Sequence, residues 1–363
     1  MNNAGQPRTH YPALDGLRGV AIILVVIYHN FAFIPVFNYG WLGVDLFFVL
    51  SGFLITDILM ETMDTKNYFR NFYARRVLRI FPLYYLSLLL FLVILPLFSS
   101  FPLNVKFYQD HQIWFWAYLQ NWTLIFDYDN SSTVLNHFWS LAVEEQYYLV
   151  WPFIIILAKR PARLVIICLV LLAFVIIARL YIWQHHDLFP TWQWLFLFTR
   201  IDGILIGSIL ALVYRTNKGA LQKYSTHLVL SLAAINFLVY FIDKDQNFPV
   251  WAILGYATFS ALFALLVYES VKKENKTINF IFNNTILRFL GKYSYGFYIF
   301  HWPIFLLAKP YTDEWATGLS FAAGSRAWLF ASAIMATTAG LMVSVLSYHL
   351  FEKHFLRLKK HFT

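Results

Sequence analysis

His29 closes the run GVAIILVVIYHN, His301 lies in YSYGFYIFHWPIF, and Glu144 and Glu145 stand side by side in HFWSLAVEEQYYLVWP. An imidazole titrates near neutral pH, so it can take a proton from a hydroxyl and pass it on. A carboxylate beside it can orient the ring and stabilise its charged form, as in a hydrolase triad. These stretches are otherwise apolar, and an ionised side chain at the centre of a membrane helix costs about 2.5–3.5 kcal/mol on insertion scales. The glutamates therefore need partners. A second set is cationic: Arg18 in LDGLRGV, and Arg75, Arg76 and Arg79 in FYARRVLRIFPLYY. Arg76 and Arg79 are three apart and share a helix face. Guanidinium pairs suit phosphate groups, although basic residues at a membrane edge also simply anchor to anionic lipid.

The elements that must carry these residues are membrane helices. Of 363 residues 60% are hydrophobic and 13% charged, with a mean hydropathy of +0.57. A soluble domain is nearer half apolar and a quarter charged. The net charge of +9 is accordingly read as membrane sidedness, not as nucleic-acid binding. The single cysteine, Cys168, sits in an apolar run and allows neither an internal disulfide nor a cysteine metal site. No metal is expected. The first apolar run is too long for a signal peptide and lacks its small-residue cleavage pattern.

Apolar runs of spanning length lie near 14–35, 39–60, 78–98, 137–158, 163–183, 193–214, 226–242, 250–269, 289–308 and 327–350. A weaker run, 112–126, contains Gln and Asn. The loops holding Lys66 to Arg76 and Lys159 to Arg163 are both basic, hence on one side, so an even number of crossings separates them. Run 112–126 is then a re-entrant or interfacial helix. The expected fold is all-α and polytopic, with about ten transmembrane helices, one re-entrant or interfacial helix and both termini cytoplasmic. The ends and loops carrying Arg8 and Arg18, Lys66 to Arg79, Lys159 to Arg163, Arg215 to Lys223, Lys272 to Lys292 and Lys353 to Lys360 then hold most of the 28 Lys and Arg. No loop has room for a soluble catalytic domain, and no internal repeat is evident, so residues 1–363 read as one transmembrane domain.

This orientation gives each polar residue a depth. His29, Asp45, Glu144, Glu145, Arg200, Asp202 and His301 fall in one layer beneath the outer surface, around a water-accessible cavity. Successive helical residues point about 100° apart, so one glutamate faces the cavity centre, with Glu144 favoured. Asp45, Arg200 and Asp202 are either substrate contacts or structural ion pairs, and His301 is either a site residue or an interfacial anchor. Ser51 in VLSGFLI reads first as a small packing residue, and Glu352 as a pair or cap at the cytoplasmic end. All the tryptophans but Trp151 map near the outer face, a bias that a carbohydrate site including Trp139, or simply an uneven aromatic belt, would produce. Arg18 and His29 are roughly 16 Å apart along one helix. A ligand with a phosphorylated head and a long thin arm, such as a coenzyme A thioester or a lipid pyrophosphate carrier, would reach from one cluster to the other.

Six stretches in order, LDGLRGVAIILVVIYHN, GVDLFFVLSGFLIT, ARRVLRIFPLYY, FWSLAVEEQYYLVWP, YSYGFYIFHWPI and SYHLFEKHF, resemble the acyltransferase-3 family of integral membrane acyltransferases. The resemblance implies an acyl donor, usually acetyl-CoA, taken from the cytoplasm as a substrate, with no tightly bound cofactor. The acyl group passes to a hydroxyl, usually of a sugar or lipid-linked sugar, at the outer side of the bacterial inner membrane. It implies His29 as the catalytic histidine, with Arg18, Arg76 and Arg79 serving the donor and Arg75 beside them. The chain resembles stand-alone members, without an esterase-like domain, which modify O-antigen lipopolysaccharide, exopolysaccharide, enterobacterial common antigen or macrolides. An acyl-histidine intermediate is an alternative to direct transfer. Two other classes are alternatives: a transporter, which the buried charges and re-entrant segment fit but the lack of an evident repeat and the one-sided arginine cluster do not, and a membrane sensor that binds acyl-CoA without turnover.

Overall fold

The computed structural model of the chain describes residues 11–98, 101–185, 187–189, 191–242, 255–272, 274–319 and 322–362. Arg8, Lys244 and residues 250–254 of the eighth expected span lie outside the described residues. Among those described there is no strand, and every expected span contains a helix. The helices are α1 (Pro12–Asn30), α2 (Leu42–Thr62), α3 (Tyr68–Leu88), the short α4 (Lys106–Asp110), α5 (Gln112–Trp116) and α6 (Gln120–Phe126), α7 (Trp139–Ala158) and α8 (Pro161–Gln184). The broken set α9 (Trp192–Leu195), α10 (Leu197–Arg200) and α11 (Asp202–Thr216) follows, then α12 (Ser225–Ile242), α13 (Tyr256–Lys272), α14 (Lys276–Phe282), α15 (Thr285–Gly318), α16 (Arg326–Ser347) and α17 (Lys353–Leu358).

Among the described residues six helical stretches are long and apolar enough to cross a membrane: Pro12–Asn30, Pro35–Thr62, Tyr68–Leu97, Asn136–Ala158, Pro161–Gln184 and Arg326–His361. The chain is a multi-pass membrane protein. The expected span 193–214 is not one helix. Phe196 adopts an extended conformation and Ile201 ends α10, so the chain turns twice before α11. The expected helix 112–126 is likewise divided. It breaks at Tyr118, whose φ is +55°, and it packs into the bundle: Gln146 of α7 donates to the Tyr118 carbonyl (3.0 Å) and to Asn121 (2.9 Å).

Local sequence explains the element ends. Pro12 and Pro161 open α1 and α8, where a missing N–H is harmless. Asn284 and Ser325 cap α15 and α16 by accepting from backbone N–H groups in the first turn. In α8 the buried residues are Leu164, Cys168, Val175, Arg179 and Ile182, one helical stripe, while Ile166, Leu169, Val170, Phe174 and Ile177 stay exposed. An apolar surface of that extent is a lipid-facing one.

Two close helix contacts position everything else. On Gly291 of α15 a Cβ would stand 1.7 Å from the Asp15 carbonyl oxygen of α1, and on Gly19 of α1 it would stand 2.0 Å from the Leu287 oxygen of α15. Only hydrogen fits there, so the two helices run with backbones touching. They are parallel, and His29 lies as far along α1 from Gly19 as His301 lies along α15 from Gly291. The glycine contact thus fixes which imidazoles meet, roughly 15 Å further on. Gly52 of α2 and Gly207 of α11 make a second such contact, with the Ile204 and Val49 oxygens.

Candidate functional site

Three imidazoles converge at one end of the bundle. The ring centres of His29 and His301 are 4.9 Å apart, those of His137 and His301 are 5.1 Å apart, and those of His29 and His137 are 6.2 Å apart. Their elements are α1, α15 and the short turn before α7. Tyr298 places His137 by donating to its carbonyl (2.8 Å), and its hydroxyl also meets Ser140 Oγ at 2.5 Å.

The hydrogen bonds assign the tautomers. A carbonyl only accepts, so His301 Nδ1, which is 2.8 Å from the Tyr298 oxygen and 3.1 Å from that of Phe297, carries a hydrogen. In a neutral ring its Nε2 is then an acceptor. His29 Nδ1 lies 2.9 Å from the Val25 oxygen and 3.3 Å from that Nε2, so it too carries a hydrogen. The lone pair of His29 is therefore on Nε2, the state a general base needs. Trp302, whose indole donates to the Thr133 carbonyl at 3.1 Å, lies beside the ring, with centres 5.3 Å apart.

The partner of His29 is thus a histidine. The sequence put the glutamates in the same layer, but the residue level with His29 is His137, in the turn that leads into α7, and Glu144 lies seven positions on, about 10 Å deeper. The apolar run of residues 137–158 begins level with the histidines, so its glutamates fall below their layer. The two glutamates do diverge, as their spacing requires. Glu144 accepts from Ser51 Oγ of α2 at 2.6 Å, so Ser51 is more than a packing residue. Glu145 turns toward the tyrosines Tyr84, Tyr85, Tyr118 and Tyr295, and its Oε1 is buried with no hydrogen-bond partner.

Deeper still, toward the other end, stand the arginines. Arg18 pairs with Asp15 at 3.1 Å and interacts electrostatically with Arg76 and Arg79. Arg76 lies over the Tyr148 ring (5.3 Å) and in the field of both glutamates. Arg75 donates to the Phe362 carbonyl at 3.3 Å, and Lys359, which the sequence did not single out, joins all four arginines. Arg18, Ser51, Arg76, Glu144, Glu145 and His29 all keep partial exposure although their helices form the centre of the bundle. They form a polar file from the arginine end to the histidine end.

Asp45, Arg200 and Asp202 belong to a separate assembly. Arg200 pairs with Asp45 at 2.8 Å, and Arg179 pairs with Asp202 at 2.8 Å while donating to the Thr199 carbonyl. Both guanidiniums lie 4.5 Å from the Tyr256 ring centre, and Arg200 also faces Trp139 at 5.4 Å. All four charged residues are 0–3% exposed, so of the alternatives left open for this trio the geometry favours structural ion pairs. They tie the broken α10–α11 junction to α2, α8 and α13. Glu352 accepts from Ser347 at 3.3 Å and lies in the field of Arg79. Cys168 is buried and free.

A multi-pass helical membrane protein with an imidazole cluster at one end of a polar file and a guanidinium cluster at the other is the class these observations define. The chain belongs to the acyltransferase-3 family: the family's model, described as an acyltransferase domain, matches residues 11–346. It is 32% identical over 376 residues to a putative peptidoglycan O-acetyltransferase, YrhL, of Bacillus subtilis, covering 97% of this chain and 56% of that protein. It is 31% identical over 324 residues to the peptidoglycan O-acetyltransferase OatA of Listeria monocytogenes, covering 84% and 50%. To a putative O-acetyltransferase of Staphylococcus aureus strain COL it is 29% identical over 328 residues, covering 83% and 52%. The chain spans about half the length of these curated relatives. No solved structure matches it.

Proposed function

We propose that the protein is a membrane O-acetyltransferase that takes an acyl group, acetyl by preference, from acyl-CoA and passes it to a glycan hydroxyl on the far side of the inner membrane. The observation that carries this reading is the file itself: the unprotonated Nε2 of His29 at one end, Arg18, Arg75, Arg76 and Arg79 at the other, and Ser51, Glu144 and Glu145 between. In the reaction His29 Nε2 takes the acceptor's hydroxyl proton while the oxygen attacks the thioester carbonyl. The C–O bond forms, the C–S bond breaks, and the departing thiolate takes up the proton, giving one ester and one thiol. His301 holds His29 in the reactive tautomer, and the arginines and Lys359 hold the donor's phosphates. The relatives' names favour peptidoglycan, or a polymer like it, as acceptor over lipopolysaccharide. Ten crossings with both termini on the arginine side suit this reading, because the basic loops and the donor site then share the cytoplasmic face.

Protein in lipid nanodiscs, given acetyl-CoA and peptidoglycan fragments, is expected to release free thiol and form acetyl ester in equal amounts. His29→Ala is expected to lower the rate by at least about 100-fold, the usual range for loss of a general base, with donor binding retained. Full activity in that variant would refute the assignment.

A further inference from the structure

Among the described residues Tyr118 is the bulkiest of three non-glycine residues with positive φ, a conformation that persists only where surrounding contacts enforce it. The contacts are on hand. Gln146 holds its carbonyl at 3.0 Å, and its ring stacks on Tyr84 (4.1 Å between centres) and Phe81 (5.2 Å). What they achieve is to drive a phenol into the bundle beside Glu145. The hydroxyl is buried and makes no hydrogen bond, and neither does the facing Glu145 Oε1. The neighbouring phenols cannot satisfy that carboxylate, since each has spent its one hydrogen: Tyr84 on the Phe115 carbonyl (2.7 Å), Tyr85 on that of Trp116 (3.1 Å) and Tyr295 on that of Ile80 (2.6 Å).

One unused donor and one unused acceptor thus lie within each other's field but beyond bonding reach. A secondary amide meets both, its N–H on the carboxylate and its C=O on the phenol. We infer that Tyr118 and Glu145 form a subsite for an amide of the donor's pantetheine arm. This rests on the reading of acyl-CoA as donor. The position suits it, because Glu145 lies next to Glu144 and in the field of Arg76, on the route from the arginine end to His29. A phosphate-anchored arm carrying two amides ahead of its sulfur passes this point. Residues 118–121 then have a purpose in entering the bundle: they supply the wall of the arm's channel.

The test compares coenzyme A with adenosine 3′,5′-bisphosphate, which keeps phosphates and lacks the arm. Binding of each to the full chain in nanodiscs is measured by calorimetry. Tyr118→Phe keeps the stacked ring and removes the donor, while Glu145→Met keeps the length and removes the acceptor. Each is expected to weaken coenzyme A about five- to tenfold, the usual effect of one lost hydrogen bond, and to leave the bisphosphate within twofold. Equal effects on both ligands, or none on either, would overturn the subsite while leaving the donor reading intact. Equal affinity of the unaltered protein for the two ligands would do the same. Failure of the unaltered protein to bind either would remove the donor reading and the subsite together. If Tyr118→Phe does not fold, Glu145→Met decides by the same ratio.

Discussion

The open nitrogen of His29 depends on a second ring. Two carbonyls hold a hydrogen on His301 Nδ1, His301 Nε2 then accepts from His29 Nδ1, and the reactive lone pair is left on His29 Nε2. Remove the acceptor and the His29 ring is free to flip or exchange tautomers. His301→Phe is therefore expected to lower kcat by about 10- to 100-fold, as loss of the partner that orients a metal-bound imidazole does, with the donor KM within twofold. His301→Gln, whose carbonyl can accept from His29, is expected to recover part of that loss. Equal falls in melting temperature and in both kinetic constants, with no rescue by Gln, would make His301 a packing residue only. His137 is level with this pair and 5% exposed. It stands in the stretch that was read for its glutamates, and the motif gave no reason to prefer it. Its place becomes visible only once α7 is set beside α1 and α15.

Among the elements, what the sequence could and could not disclose follows from the range of the forces involved. Spans were legible because apolar runs of fixed length are a local signal, and each expected run does contain a helix. The breaks at Phe196, Ile201 and Tyr118 were not, because tertiary bonds hold them: Thr191 to the Ile125 carbonyl (2.9 Å), Gln146 to Tyr118, and the Arg179–Asp202 and Arg200–Asp45 pairs across the broken junction. The identity of the residue facing His29 was out of reach for the same reason. It depends on which helices touch at Gly19 and Gly291, and a glycine in an apolar run does not name its neighbour. That contact carries a prediction. Gly291→Val places carbon where the Asp15 carbonyl already stands, so α1 and α15 must separate or slide. Loss of the His29–His301 bond, activity below about 1% and a lower melting temperature are expected, because overpacking of this kind costs about 1–3 kcal/mol or more. Gly318→Ala on the same helix, where nothing lies within 4 Å, is expected to change neither activity nor melting temperature. A fully active Gly291→Val would show that the register of these two helices does not set the site.

For the whole molecule the governing feature is that its two chemistries are at opposite ends. The arginines and Lys359 gather at one, the imidazoles and Trp302 at the other, and α1 carries a member of each, with Arg18 and His29 roughly 16 Å apart. The surrounding faces are apolar, as the exposed side of α8 illustrates, so neither end can be reached from the other except through the bundle. Donor and acceptor should accordingly be used from opposite sides of a bilayer. In proteoliposomes sorted so that the arginine end faces outward, acetyl-CoA supplied outside and glycan trapped inside are expected to give free thiol outside and acetyl ester inside, one for one. With both substrates trapped inside, neither product should form. The count matters because the acyl carbon, and not the thioester, must change sides: thiol appearing inside would mean that the whole donor had crossed, which is transport. Ester forming on the acetyl-CoA side would mean that the acceptor enters at the arginine end, leaving the imidazole cluster without a substrate at its own surface. Either result would break the two-ended mechanism even if His29 proved essential, since an essential histidine is equally compatible with chemistry on one face.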